Sequence, residues 1–242
     1  MALVTGAGAE TGRAIALRLA AGGALVIVAD IDLAAAEATV RAIEAEGGHA
    51  AAIGADVTRD EDVRRMIAFA DRDDGGGPHV LVNNAGGWGR ANYLEATPEQ
   101  WSATLDLNLR AAMLATQLAL EPMRAAGGGV VVNIASTAGL ASEPYASPEY
   151  GAAKAGLIRF TTSLGDLRER MNVRVNCIVP DWIATDRAHG ELERMTAAER
   201  REAGPLVPMA DVAAAVAAFV HDDGLAGRVV VLRGGRPRRF LT

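Results

Sequence analysis

The feature that most constrains this chain is the alternation of short apolar runs with longer stretches of helical spacing. Runs rich in Val, Ile and Leu lie at residues 2–4, 24–29, 50–53, 80–82, 130–134, 173–179 and 229–232. Stretches with helical spacing lie between them, at residues 12–22, 33–46, 60–70, 98–125, 149–171 and 210–221. Continuous apolar strands that alternate with helices indicate a parallel sheet buried on both faces. We therefore predict an α/β fold built on a doubly wound sheet with helices on both faces.

The alternation continues along the whole chain without a Pro/Ser-rich linker or a shift of composition. This predicts a single domain over residues 1–242. The least regular segment, residues 181–208, is long and highly charged and follows a predicted strand. Because ligands of this architecture bind outside the carboxyl ends of the strands, we expect this segment to be a lid over a substrate.

Charge and cysteine content argue against several kinds of partner. The net charge is −6, so no basic face is expected that could bind nucleic acid or an anionic membrane. The one cysteine, Cys177, lies in an apolar run, and we expect a buried thiol without a disulfide or a metal. No charged leader is visible, and no apolar run reaches the roughly 18 residues that cross a bilayer. We expect a cytoplasmic protein.

A glycine-rich turn follows the first apolar run directly, in the stretch TGAGAETGRAIALRLA. Gly6, Gly8 and Gly12 would allow a tight turn and a close approach of the backbone to a ligand. The helix that starts near Gly12 would offer unpaired N–H groups to a pyrophosphate. A strand, a glycine turn and a helix in this order indicate a dinucleotide site.

A carboxylate follows the next apolar run at the distance expected for a ribose ligand. Asp30 lies 18 residues after Gly12, close to the roughly 20 expected for a carboxylate that binds the adenosine ribose hydroxyls. Asp30 would repel a 2′-phosphate, and neither Ala9 nor Ile31 supplies a cation to offset that repulsion. NAD is therefore favoured over NADP. Asp32, just before a helical stretch, is expected to cap that helix.

The sequence YGAAK holds the only lysine of the chain, beside 23 arginines (24 − 1). Tyr150 and Lys154 are four residues apart and would share one helix face. Free tyrosine has a pKa of about 10, too high for a base near neutral pH, and a nearby ammonium lowers that pKa. A compact ammonium can also hold a ribose hydroxyl where a planar guanidinium is bulkier. The pair predicts a general acid/base.

Five motifs in one order resemble the short-chain dehydrogenase/reductase family over essentially the whole chain. They are TGAGAETG, NNAG at residues 83–86, Asn108 in LNL, Ser136 in NIAS, and YGAAK. The resemblance implies a single-domain Rossmann-type fold with a seven-stranded sheet. It also implies that the chain binds NAD(P) and passes hydride between the nicotinamide and an alcohol or carbonyl carbon.

The resemblance implies a role for each of four residues. Tyr150 would exchange the proton of the alcohol, and Lys154 would lower the pKa of Tyr150 and hold the nicotinamide ribose. Ser136 would hydrogen-bond the reacting oxygen. Asn108 would hold a water that links Lys154 to solvent. Because the family commonly forms tetramers, the resemblance also implies a homotetramer or dimer, with contacts in residues 98–125 and 149–171.

The resemblance further implies which residues lie along the cofactor, although turn chemistry or packing is the alternative for each. In addition to the glycine turn, Tyr150 and Lys154, they are Asp30, Ile31, Asp56, Val57, Asn83, Ala85, Gly86, Pro180, Ile183 and Thr185. Two residues depart from the family pattern. Glu10 replaces the second glycine of TGxxxGxG, where a carboxylate would repel a pyrophosphate unless it points to solvent. Asp181 replaces the glycine usual after Pro180.

Three functions compete at this point. The first is an NAD-dependent dehydrogenase or reductase for alcohols or ketones, with Trp88 and Trp182 as aromatic walls that suit a hydrophobic or ring-bearing substrate. The second is an NADPH-dependent 3-oxoacyl reductase, which Asp30 disfavours. The third is a catalytically silent dinucleotide-binding protein, suggested by Glu10 and Asp181. The presence of all four catalytic residue types favours an enzyme.

Overall fold

The computed structural model describes residues 1–71, 77–87, 93–140 and 147–241. The strands are β1 (Ala2–Thr5), β2 (Leu25–Asp30), β3 (His49–Gly54), β4 (Val80–Asn83), β5 (Gly129–Ile134), β6 (Val173–Pro180), β7 (Val229–Leu232) and β8 (Arg239–Leu241). The helices are α1 (Glu10–Ala21), α2 (Leu33–Ala45), α3 (Asp60–Ala70), α4 (Pro98–Leu105), α5 (Ala111–Ala125), α6 (Pro148–Ser163), α7 (Leu167–Met171), α8 (Asp186–Arg194), α9 (Ala197–Ala203) and α10 (Met209–His221).

The strands form one sheet in the order β3-β2-β1-β4-β5-β6-β7-β8. β1 to β7 are parallel, which confirms the predicted doubly wound sheet. The strand order reverses between β1 and β4, so a crevice opens there at the carboxyl ends of the strands. This is where the architecture places ligands.

The sheet has eight strands in the described part of the chain, where the sequence predicts seven. The additional strand β8 pairs antiparallel with β7. The chain reverses after β7 at a turn in which Arg236 N–H bonds Arg233 O, and Gly235 there has φ +65°. The charged stretch RGGRPRRFLT hides this strand from the apolar pattern, although Phe240 packs edge-to-face on Phe219 of α10.

Apolar side chains cover both faces of the sheet. On one face, Ile15 of α1 and Phe219 of α10 belong to one buried cluster. On the other face, Met66 of α3 and Met123 of α5 belong to a second. All eight residues of β6 are buried, and its two polar side chains are paired: Arg174 donates to the Phe219 carbonyl and Asn176 to the Leu225 carbonyl.

Two long helical stretches are interrupted where the site is built. Between α4 and α5 the backbone forms a π-helical segment over Asp106–Arg110. Such segments are frequent at functional sites, and this one carries Asn108. The second stretch ends at Ser163, and α7 follows as a separate short helix.

Residues 181–208 are more regular than the sequence predicts. They contain α8 and α9, which begin at the N-caps Thr185 and Thr196. The segment is closed at its base by a bridge between Ile183 and Val207. Because these helices are short and highly charged, the apolar spacing that reveals longer helices is weak in them.

Candidate active site

A cleft of about 380 Å³ opens at the carboxyl ends of the parallel strands. It lies at the switch point between β1 and β4, as the architecture requires. Many of the residues predicted from the sequence meet there. Those that line it are Gly6, Gly12, Asp30, Ala85, Gly86, Ser136, Tyr150, Lys154, Pro180, Ile183 and Thr185.

The glycine turn forms the floor of the cleft and has no room for side chains. Gly6 has φ +61°, and a Cβ on it would lie 3.0 Å from the Cα of Ala85. A Cβ on Gly12 would lie 2.0 Å from the carbonyl oxygen of Gly6, which no rearrangement of side chains can relieve. No side chain caps the N-terminus of α1, so the N–H groups of its first turn are available to an anion.

The turn is held by contacts across the switch point. Asn84 Nδ2 donates to the carbonyl oxygens of Thr5 and Gly6 at 3.0 and 3.1 Å. Thr5 Oγ1 accepts the N–H groups of Asn84 and Ala85, both at 3.1 Å. The ends of β1 and β4 are therefore fixed relative to each other.

Asp30 lines the cleft at the end of β2. Its Oδ2 accepts the Gly8 N–H at 2.8 Å, and its Oδ1 accepts the Asp32 N–H at 3.0 Å. These bonds orient the carboxylate and leave each oxygen a further lone pair for a ribose hydroxyl. Ile31 is 74% exposed and is not on the cleft wall. Asp32 accepts the Ala35 N–H, which confirms its predicted capping role.

Asp56 and Val57 follow β3 and are not on the wall of the cleft. The preceding residue bonds to the end of β2, since Ala55 N–H donates to the Asp30 carbonyl at 2.8 Å. Asp56 Oδ1 accepts both the N–H and the hydroxyl of Thr58, at 2.9 and 2.7 Å. Turn chemistry, the alternative kept open above, accounts for these contacts of Asp56.

The two asparagines of NNAG have different surroundings. The buried Asn83 donates through Nδ2 to Asn133 Oδ1 at 2.8 Å and to Thr116 Oγ1 at 3.2 Å, so its side chain lies in the core and not in the cleft. Asn84, which the sequence reasoning missed, lines the cleft instead. The alternation of side chains along β4 could have suggested that Asn84 faces the cleft, because adjacent residues of a strand point to opposite faces.

Lys154 and Tyr150 share one face of α6, as predicted. Their side chains are buried, and Lys154 Nζ lies 5.5 Å from the centroid of the Tyr150 ring. Nζ donates to the Ile134 carbonyl oxygen at 3.0 Å, at the end of β5. Burial lowers the pKa of Lys154 from 10.5 to about 8, so the ammonium is retained at neutral pH. The amine points into the cleft end of the sheet and away from solvent.

Gly86 brings the backbone close to this ammonium. A Cβ on Gly86 would lie 2.9 Å from Asn108 Oδ1 and 3.1 Å from Lys154 Nζ. The Asn108 amide does not line the cleft, and its hydrogen bonds go to backbone groups. Its Oδ1 accepts the Gly87 N–H at 3.0 Å, and its Nδ2 donates to the Gly87 and Thr104 carbonyl oxygens at 2.6 and 2.9 Å. Asn108 thus fixes the loop after β4.

Ser136 follows β5 and shares the cleft with Tyr150. Its Oγ accepts the Ala138 N–H at 3.2 Å, which caps a short 3-10 turn and leaves the hydroxyl proton available. The predicted burial of Cys177 is confirmed, and this burial raises the pKa of its thiol to about 12.

Residues of the 181–208 segment form the opposite wall of the cleft. Trp182 lines it with Ile183, while Trp88 lies outside the described residues. Asp181 Oδ1 accepts the Thr137 hydroxyl at 3.1 Å and the Trp182 N–H at 3.0 Å. The residue that replaces the family glycine therefore joins the ends of β5 and β6.

Glu10 has a backbone conformation that favours glycine. Its φ is +46°, in the left-handed region, which costs a residue with a side chain roughly 1–2 kcal/mol. Its carboxylate bonds to the lid segment, since Oε1 accepts the Asp186 N–H at 2.8 Å. The side chain thus has a partner across the cleft.

The described residues contain no cluster of metal ligands and no membrane-spanning helix. Within residues 1–71, 77–87, 93–140 and 147–241, no group of three or more His, Cys, Asp or Glu could hold a metal ion. None of the helices in these ranges has the length and apolar character needed to cross a membrane.

Comparison with known proteins decides the family. The family model described as short chain dehydrogenase matches residues 1–196. The chain belongs to the short-chain dehydrogenase family. It is an oxidoreductase that acts on CH–OH groups, and its family binds NAD(H) or NADP(H).

Several characterised members of the family are similar over most of their length. The cyclohexanol dehydrogenase of Acinetobacter sp. is 36% identical over 224 residues, which cover 92% of this chain and 88% of that protein. The 3-oxoacyl-[acyl-carrier-protein] reductase of Synechocystis sp. is 39% identical over 187 residues, which cover 77% and 75%. A solved 7α-hydroxysteroid dehydrogenase, complexed with NADH and 7-oxo glycochenodeoxycholic acid, has a TM-score of 0.88 at 29% identity and covers 97% of this chain and 92% of that one.

Proposed function

We propose that this chain is an NAD-dependent dehydrogenase/reductase for secondary alcohols and ketones, with Tyr150 as its acid/base. The observation that carries the proposal is the buried ammonium of Lys154 beside the Tyr150 ring, in a cleft at the switch point of the sheet. A catalytically silent binding protein could use Lys154 to hold a ribose, but it would have no need of an acid/base tyrosine beside that buried charge. Desolvation makes such a charge costly, as the lowered pKa of Lys154 reflects.

The cleft fits a dinucleotide. Gly6 and Gly12 let the turn pack tightly at the edge of the cleft that both residues line, and the uncapped N-terminus of α1 would hold the pyrophosphate. Asp30 would hold the adenosine ribose and Lys154 the nicotinamide ribose. Pro180, Ile183 and Thr185 would lie near the nicotinamide. The bound cofactor supplies the chemistry of accepting hydride from the alcohol carbon, or of returning it to the carbonyl carbon.

The protein side chains transfer the proton of the reacting alcohol. On oxidation, the alcohol proton passes to the phenolate oxygen of Tyr150, while Ser136 Oγ donates a hydrogen bond to the reacting oxygen. The positive charge of Lys154 favours the phenolate over the phenol. On reduction, the Tyr150 hydroxyl returns the proton. Asn108 acts through the loop that it holds at Gly87, and its water-mediated link from Lys154 to solvent remains a prediction.

We also propose a preference for NAD over NADP. Asp30 supports it, because a 2′-phosphate would meet this carboxylate, and the adjacent Ile31 is exposed and uncharged. Titration by nicotinamide fluorescence tests the preference. We expect tighter binding of NADH, and tighter binding of NADPH would contradict it. A 3-oxoacyl reductase is the second candidate, because one relative bears that name, and that outcome would favour it.

The substrate is proposed to be hydrophobic or ring-bearing. Trp182 and Ile183 offer apolar surface on the lid side of the cleft. Two similar proteins are named for ring-bearing alcohols or ketones. Residues 1–242 would work as one dinucleotide-binding domain with residues 181–208 as the substrate lid. A screen of cyclic and acyclic secondary alcohols and ketones with NAD(H) tests this, and activity confined to short acyclic substrates would contradict it.

Assembly into a homotetramer or dimer is proposed through α4, α5 and α6. Trp101 of α4 and Met113 of α5 expose 36% and 42% of their surface, which supports a contact there. Light scattering coupled to size exclusion measures the oligomeric state. A monomer at micromolar concentration would contradict the proposal.

Tyr150→Phe tests the chemistry directly. We expect turnover to fall by about 10²- to 10⁴-fold, the range of general acid–base catalysis, while the NADH dissociation constant changes less than about twofold because the ring remains. Tyr93→Phe is the matched control, since Tyr93 is 52% exposed and lies outside the cleft, and it should keep full activity. Full turnover in Tyr150→Phe would exclude the assignment.

A further inference from the structure

Glu10 makes a contact that joins two distant parts of the chain. Its Oε1 accepts the Asp186 N–H at 2.8 Å across 176 residues of sequence. Glu10 belongs to the glycine turn at the start of α1, and Asp186 is the first residue of α8 in the 181–208 segment. The bond therefore ties the cofactor side of the cleft to the lid side.

The Glu10 carboxylate acts as a second cap for the free N–H groups at the N-terminus of α8. Thr185 Oγ1 accepts the Ala188 N–H at 3.2 Å, and Glu10 accepts the N–H of Asp186. A carboxylate at a helix N-terminus is favourable, because it meets the positive end of the helix dipole and its unpaired N–H groups. The carboxylate at this glycine position is thus bound by the N-terminus of α8.

The bond borders the cleft beside the N-terminus of α1, where a pyrophosphate would bind. Glu10 and Gly12 line the cleft from the turn, and Thr185 and Arg187 line it from the lid segment. The N–H groups at the start of α1 are available below. A dinucleotide on these groups would be covered by α8 for as long as the Glu10–Asp186 bond holds.

The base of the lid segment is held independently of this bond. Val207 N–H donates to the Trp182 carbonyl at 2.7 Å, and Ala184 N–H donates to the Val207 carbonyl at 2.9 Å. Loss of the Glu10 contact would therefore leave the segment attached at its base. The contact is placed to control opening rather than folding.

We propose that the Glu10–Asp186 bond is a clasp that closes α8 over the bound dinucleotide and slows its release. Glu10 is a positioning residue in this proposal, which rests on the proposed binding of NAD. The negative charge of Glu10 near the pyrophosphate would also slow association. The clasp would therefore keep the cofactor bound for longer and make its release a slow step of the cycle.

Asp186→Pro removes the donor of the clasp together with the Asp186 carboxylate. Proline is well tolerated at the first position of a helix, where its missing N–H has no helical partner. The preceding Thr185 has φ −89° and ψ 160°, the extended conformation that a residue before proline prefers. Asp186→Ala is the matched control, because it removes the same carboxylate and keeps the N–H. Glu10→Gly removes the acceptor and restores the glycine of the family pattern.

The experiment is stopped-flow displacement of NADH from each variant, with circular dichroism to confirm that each is folded. We expect Asp186→Pro and Glu10→Gly to release NADH about fivefold faster than wild type, equivalent to about 1 kcal/mol. Asp186→Ala should release it within twofold of wild type. The double variant should be no faster than either single variant, because both remove one bond.

Three outcomes would overturn the proposal. Asp186→Pro could release NADH at the wild-type rate, Asp186→Ala could match Asp186→Pro, or the double variant could show the product of the two single effects. A wild-type protein that shows no NADH fluorescence signal at all would instead refute the proposed cofactor, and the clasp with it. Normal binding with unchanged release would remove the clasp alone.

Discussion

Replacing Lys154 by methionine should make the protein inactive and more stable. The Lys154 side chain is 3% exposed, and burial lowers its pKa from 10.5 to about 8. Each pKa unit corresponds to about 1.4 kcal/mol, so keeping the ammonium in the fold costs about 3 kcal/mol. Methionine fills a similar unbranched space, and losing the bond to the Ile134 carbonyl costs about 1 kcal/mol. The variant should gain about 2 kcal/mol at pH 7.

The gain should depend on pH with a defined sign. The folded pKa of Lys154 is below the unfolded value, so between pH 8 and 10.5 the unfolded chain binds more protons than the folded one. Wild-type stability then rises with pH across that window as the buried charge is lost. The advantage of Lys154→Met should therefore be full below about pH 8 and shrink to zero near pH 10. Above about pH 10.5 the variant should be less stable by the roughly 1 kcal/mol of the lost hydrogen bond.

Urea unfolding of the cofactor-free proteins at pH 7 and pH 10 measures this difference. In thermal unfolding at pH 7, the melting temperature of Lys154→Met should be about 4–8 °C higher than that of the wild type. Arg159→Met is the control, because it removes an exposed cation from the same helix and should show no such pH-dependent gap. A variant less stable than wild type at pH 7, or a gap that persists at pH 10, would refute the cost assigned to the buried ammonium.

Three further substitutions separate the contributions of neighbouring residues. Gly12→Ala should weaken NADH binding at least about 100-fold in a fluorescence titration, because its Cβ would lie 2.0 Å from the Gly6 carbonyl oxygen. Gly190→Ala is the control and should bind NADH normally, since no atom lies within 4 Å of its added Cβ. Asn83→Ala should lower the free energy of unfolding by about 2–3 kcal/mol, since the buried Asn133 Oδ1 and Thr116 Oγ1 both lose the Asn83 donor. NADH affinity should stay nearly unchanged, and a large loss of affinity in a stable variant would show that Asn83 contacts the cofactor. Asp30→Ala should reduce the preference for NADH over NADPH about tenfold or more in paired titrations, and an unchanged ratio would remove Asp30 as its cause.

The strands could be read from the sequence because both faces of the sheet are covered. In β7, all four residues are buried, and its sequence VVVL is a continuous apolar run. The strand β8 could not be read in this way. It is an exposed edge strand with charged neighbours, and its pairing depends on a turn that brings it back to β7.

Within the site, local motifs were predictable and side-chain directions were not. The spacing of Tyr150 and Lys154 fixes a shared helix face in any helix. Whether Asn83 or Asn84 faces the cleft depends on the residue at which β4 ends, since one step along a strand reverses the face. The π-helical segment that carries Asn108 also has no pattern in the sequence that would reveal it.

The sequence by itself determined the alternation of strands and helices, the glycine turn that excludes side chains, and the tyrosine–lysine pair, because each depends on residues close in the chain. Only the tertiary structure decided the partner of Glu10 and the burial of Lys154 against the end of β5. Those outcomes depend on residues brought together from distant segments, such as the 176-residue separation of Glu10 and Asp186. Chain closure over such distances is set by the packing of the whole sheet and its helices, and no local pattern encodes it.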